Sequence, residues 1–287
     1  MSGFTGKFRL TVRKLLFAVG LTAITLLLLA FPFGPLMPWS PVRPGYRTTA
    51  FAGADIITGE SDPVLAAYGG IDEIISEAER YHSLKFNSRV KVIACRSWSD
   101  CGRYLPWMSI RGLGGVTLAT GDVIYITPRL REKGLDPVEF LRHELSHAVV
   151  SQNTGIIQSF KMVEQGWFAE GMAVSFGRQR AYLTREEFLR QAEKTDLAAV
   201  IDPERMDRAG PAWSAKLAYV AQSNFIEYLQ HEAGRDTFQR FLLAYIKDPD
   251  NYRNLFEESF HIPFPEAIVR FQRSIRDGKW PLKEDKE

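Results

Sequence analysis

The stretch from Asp136 to Val150 leaves that part of the chain essentially one local structure to adopt, a buried helix. Asp136 can cap a helix and Pro137 suits its first turn; Glu139, three residues after the cap, completes a reciprocal capping box. Phe140, Leu141, Leu145, Ala148 and Val149 make the helix largely apolar, so it belongs in the interior. An interior helix tolerates His143, Glu144 and His147 only if something satisfies them, because an uncompensated buried polar group is costly. Residues four apart project from one face, so the rings of His143 and His147 can close on a single metal ion. Glu144 then stands beside that ion, placed to take a proton from water. A chance coincidence on an ordinary amphipathic helix is the competing reading, and a chain with only 5 histidines disfavours it.

The front of the chain is different in kind. Residues 15–31 carry no charge, a run of 17 that is just long enough to cross a hydrocarbon core. Lys7, Arg9, Arg13 and Lys14 precede the run and no acidic residue does, which predicts a cytoplasmic tail (1–14), a transmembrane anchor (15–31) and an exported remainder. A cleaved signal peptide is the alternative, but Ala30 is followed by Phe31-Pro32-Phe33 rather than a small-x-small site, so an uncleaved anchor is the better reading. Pro32, Pro35, Pro38, Pro41 and Pro44 recur every third residue, the period of polyproline II, and predict a stiff extended stalk over 32–45 with Trp39 near its base. Residues 46–287 suffice for one domain. The whole chain carries +2 and the basic tail +4, leaving the remainder near −2, which excludes the concentrated basic surface that nucleic acid needs. Cys95 and Cys101, the only 2 cysteines, predict a disulfide closing a short loop in an oxidising compartment.

Within 46–287, Ile71, Ile74, Ile75, Ala78 and Tyr81 fall at helical spacing, and Arg89 to Ala94 alternates as a half-buried strand does. Gly112, Gly114 and Gly115 read as a mobile connection leading to strands at Val116–Leu118 and Val123–Thr127. Asn153-Thr154-Gly155 stops the motif helix. Helices follow at 166–176, after the Thr184/Glu187 capping box, at 216–230, 237–246 and 265–276. Glu170 sits alone among Trp167, Phe168, Met172 and Val174, where a carboxylate needs a cation, and a catalytic zinc takes three protein ligands. Glu164, the other glutamate of that segment, can reach solvent at a helix start and needs no metal.

His143-Glu144-x-x-His147, the segment Glu170-Gly171-Met172-Ala173 and the helix around Ala218-Tyr219-Val220-Ala221 together resemble the gluzincin zinc peptidases, the thermolysin and aminopeptidase N group, and in particular their compact peptidase MA-like members. The resemblance covers roughly residues 85–245. It implies an α+β fold: a small mixed sheet with an edge strand packed on the motif helix, then a mostly helical lobe, behind one N-terminal transmembrane helix. It also implies Zn²⁺ held by His143, His147 and Glu170, Glu144 as general base, and Tyr219 as a donor to the developing oxyanion. The substrate would be a peptide or protein whose backbone pairs with Val123–Thr127 or Val116–Leu118. Such a protein would sit in the cell membrane with its catalytic domain on the outer face, periplasmic in a bacterium. A catalytically inactive, zinc-stabilised envelope scaffold is the alternative, disfavoured because a closed structural site uses four ligands and has no need of Glu144. An aminopeptidase would need an element to hold a free amine, and no Gly-x-Met-Glu-Asn-type segment occurs.

Overall fold

Alternating apolar residues between positions 54 and 126 build the sheet on which the rest is arranged. The computed structural model describes residues 3–60, 62–178, 182–209 and 215–280. Helix α1 (Gly3–Phe33) leads to β1 (Arg47–Ala50), β2 (Ala54–Thr58), short α2 (Val64–Ala67) and α3 (Ile71–His82). β3 (Val90–Ala94), α4 (Trp98–Tyr104), β4 (Gly115–Thr117), β5 (Val123–Ile126) and α5 (Arg129–Lys133) precede the motif helix α6 (Pro137–Gln152). The five strands lie in the order β1-β2-β3-β5-β4, parallel between β2, β3 and β5 and antiparallel at both margins.

Period-two alternation divides each strand between two faces. Ile56, Val92, Ile124 and Ile126 pack with α3 and α6, whereas Ile57, Ile93, Val123 and Tyr125 pack with Met37, Cys101, Leu105 and Ile110. β3 is therefore covered on both faces, not half-buried as its alternation suggests; only Lys91 stays partly exposed. The Cys95–Cys101 disulfide is formed, and the loop it closes contains the first turn of α4, capped by Ser97.

The rest is helical: α7 (Ile156–Gln165), α8 (Trp167–Gly177), α9 (Arg185–Ala192), α10 (Ala198–Ile201), α11 (Pro203–Ala209), α12 (Ala215–Ala233), α13 (Arg235–Tyr245), α14 (Tyr252–Phe260) and α15 (Phe264–Arg276). Trp167 and Phe168 anchor α8 in an aromatic core, with the Trp167 ring 4.6 Å from Phe264 and the Phe168 ring 4.8 Å from Tyr245. The Thr184/Glu187 capping box forms as expected.

The proline-spaced segment does not form the extended stalk expected of it. α1 runs through Pro32, a 3₁₀ turn spans Met37–Trp39, and Met37 is fully buried against the sheet. Arg43 binds the Met37 and Pro38 carbonyls at 3.3 and 3.0 Å, and Trp39 Nε1 donates to Asp122 Oδ2 at 3.3 Å. These tertiary bonds outcompete a polyproline helix, which has no internal hydrogen bonds of its own. Residues 15–31 lie within α1, where the side chains of 26–28 and 30 fall outside the described residues. Among the described residues no helix is long and apolar enough to cross a membrane.

Candidate metal centre

α6 presents His143, Glu144 and His147 because its flanks are tied down. Asp136 caps it by accepting from Val138 N at 2.8 Å, an N2 bond where the sequence suggested a reciprocal box. At the far end Asn153 Nδ2 donates to Val149 O and to Lys85 O, each at 2.8 Å. Arg142 pairs with Glu77 on α3, donates to Phe176 O on α8 at 3.2 Å, and lies 4.6 Å over the Phe176 ring. One guanidinium thus fixes α6 between α3 and the helix that carries Glu170.

Gly166, with φ +67°, separates α7 from α8, so Glu170 stands in the first turn of α8 and not two turns into a helix. Trp167 and Phe168 turn into the aromatic core, and Glu170 faces α6. Its carboxylate oxygens lie 3.5 Å from His143 Nε2 and 3.6 Å from His147 Nε2; the two imidazole Nε2 atoms are 3.1 Å apart. Four-coordinate zinc with ligands at 2.0–2.1 Å has tetrahedral edges of about 3.3 Å; with one ligand atom from each residue the three donors lie within 4.8 Å of one another, close enough for small side-chain adjustments to bring them onto one ion. Burial raises the Glu170 pKa, opposed by the charge of His147. Glu164 lies exposed in the last turn of α7, not at a helix start, and takes no part.

Glu144 is buried, and burial pushes its carboxyl up to about 7, against lowering contributions from His147 and Thr117. Thr117 Oγ1 is 2.7 Å from Glu144 Oε2 and 3.0 Å from the Glu144 carbonyl oxygen. Thr117 belongs to β4, which is the sheet edge next to α6; β5 lies between β3 and β4. Of the two strands considered for substrate pairing, only β4 has a free side among the described residues. On the same β4 face, a Cβ at Gly115 would stand 2.6 Å from Glu144 Oε1, and one at Gly114 would overlap the Phe140 ring. Gly114 and Gly115 thus form a close-packing surface for α6 within a segment that the sequence marked only as a connection.

A cavity of about 860 Å³ opens over the three donors between β4 and α7. Tyr219 on α12 lines it, its ring 5.1 Å from that of Tyr182. The neighbouring Glu170 charge, then burial, raise the Tyr219 hydroxyl to about 12, so it stays protonated and able to donate. His143, Glu144, His147, Glu170 and Tyr219 therefore share one cleft. Neither the family models nor the curated proteins hold a significant match to this chain. Its chemistry must be read from this cleft. Sequence reasoning missed Thr117, Gly115 and Tyr182; period-two alternation puts 115 and 117 on one face, but nothing local shows that face meeting Glu144.

Proposed function

We propose that the protein is a membrane-anchored zinc peptidase of the gluzincin kind, with residues 15–31 as the anchor and the cleft on the outer side of the membrane. The observation that carries this reading is the convergence of His143, His147 and Glu170, the two imidazole Nε2 atoms 3.1 Å apart and each facing a different Glu170 carboxylate oxygen at 3.5 and 3.6 Å, beside the buried Glu144 carboxylate, which takes no part in those contacts. A purely structural zinc site would be closed by four ligands, and the cluster among the described residues has three. When bound, zinc would supply Lewis acidity toward a peptide carbonyl and acidify water to a pKa of about 7.

The chain's own residues do the rest. Glu144 accepts a proton from the attacking water and returns it to the leaving nitrogen; a carboxyl held at about 7 is matched to both transfers. Thr117 fixes the orientation of that carboxylate from the β4 side. Tyr219 donates to the oxygen that gains charge as water adds, an interaction realised chiefly in the transition state. The free side of β4 offers backbone groups to an extended peptide.

The test is metal analysis of the purified chain together with hydrolysis of an unfolded protein. About one zinc per chain is expected, with Glu144→Gln retaining it and losing at least about 10²-fold in rate. Unchanged hydrolysis in that variant would refute the mechanism, and a metal-free chain that still hydrolyses would refute the zinc site.

A further inference from the structure

Helix α7 is amphipathic the wrong way round for a helix packed in water. Its buried residues are Ser159 and Met162, whereas Ile156, Ile157, Phe160 and Val163 are 56, 69, 58 and 71% exposed. Across the cleft mouth, Trp107, Met108 and Leu113 are exposed too. Phe160, Val163, Trp107, Met108 and Leu113 all line the cavity. Apolar side chains gathered round one opening mark an interaction surface, and scattered exposure does not explain them.

The position of the chain's entry says what covers it. α1 ends at Phe33, and four residues later Met37 is buried in the cluster that holds Leu105 and Ile110, which flank Trp107 and Met108. Four residues reach at most about 14 Å when fully extended. The end of α1 therefore lies within about 14 Å of Met37, which packs in the same cluster as the residues flanking Trp107 and Met108, and a bilayer that holds α1 approaches the domain from that side. Tryptophan is favoured at the headgroup level, and an apolar helix face gains by entering the acyl boundary.

We infer that the cleft mouth is a membrane-docking surface: the apolar face of α7 and the Trp107–Leu113 rim rest in the outer leaflet, so the cleft opens at the bilayer surface. This rests on the anchor in the proposed function and is independent of hydrolysis. The test uses the full chain in phosphatidylcholine vesicles, with an environment-sensitive fluorophore on a single introduced cysteine at Leu21→Cys, Ile157→Cys or Glu258→Cys, the native pair being bonded. Ile157 is outside the cavity lining, and Glu258 on α14 is an exposed polar control. Nitroxide-labelled lipid should quench the labels at 21 and 157 several-fold more than the label at 258. Quenching at 21 without quenching at 157 overturns the docking surface and leaves the anchor standing. No quenching at 21 overturns both, and equal quenching at all three shows no oriented docking and overturns the inference.

Discussion

Gly171→Ala tests how tightly Glu170, the proposed third ligand, is held, because Gly171 is where α8 meets α12. A Cβ there would stand 2.8 Å from Ile226 Cγ1, 2.9 Å from the Gln222 carbonyl oxygen and 3.0 Å from the Gln222 carbonyl carbon. Ile226 Cγ1 can swing aside, but the Gln222 backbone cannot, so α8 must move outward by about 0.5 Å to restore ordinary contact. Overpacking of this kind costs about 1–3 kcal/mol, offset by the ~0.5–1 kcal/mol that alanine gains over glycine in a helix. Glu170 is the preceding residue and moves with the helix, whereas His143 and His147 stay on α6. Zinc–ligand distances tolerate only about 0.2 Å, so zinc affinity should fall about 10–100-fold, as it does when a ligand's support is disturbed. Chelator competition measures the affinity, and thermal unfolding of the metal-free chain measures the packing cost. Gly102→Ala on α4 is the control, since a Cβ there meets nothing, and it should stabilise the chain without touching zinc. If Gly171→Ala left zinc affinity unaltered, the placement of Glu170 by the α8–α12 contact would be wrong.

Glu170→Gln should strip most of the zinc, while Glu164→Gln, exposed on α7, should leave metal and hydrolysis nearly intact; the opposite order in metal analysis would remove Glu170 from the ligand set. Tyr219→Phe should lower kcat by about 10²–10³ with KM and zinc content unchanged, and an unaltered kcat would leave Tyr219 as a packing partner of Tyr182. His82 is buried with neither ring nitrogen hydrogen-bonded; burial, and then the His147 charge, hold its pKa down at about 3. The unfolded chain binds that proton near pH 6.5, so stability is complete above that pH and falls as pH drops towards 3, by about 2 kcal/mol between pH 7 and pH 5. His82→Phe should flatten this dependence in urea unfolding, and an equally steep fall in the variant would exclude His82 as its source.

What could be read from the sequence were the contacts made within one helix. The spacing of His143 and His147 is local geometry, and the isolation of Glu170 among apolar residues needs only its own helix to be seen. Glu144, by contrast, owes its setting to Thr117 and Gly115, which reach it across 27 and 29 positions, and no periodicity encodes which strand will lie against α6. The same holds at the entry to the domain: proline every third residue favours polyproline II locally, but burial of Met37 and the Arg43 bonds to the Met37 and Pro38 carbonyls override it. β1 and β2 escaped notice because Arg47–Ala50 and Ala54–Thr58 are short and weakly alternating, and they become strands only when paired with each other and with β3. α7 escaped for the opposite reason: its pattern is plainly amphipathic, but the apolar side faces outward, so a reading that assigns every apolar stripe to the core has no place for it. The proposed ligands can thus be inferred residue by residue, whereas the groups that orient the proposed base and surround the cleft follow only from which elements meet.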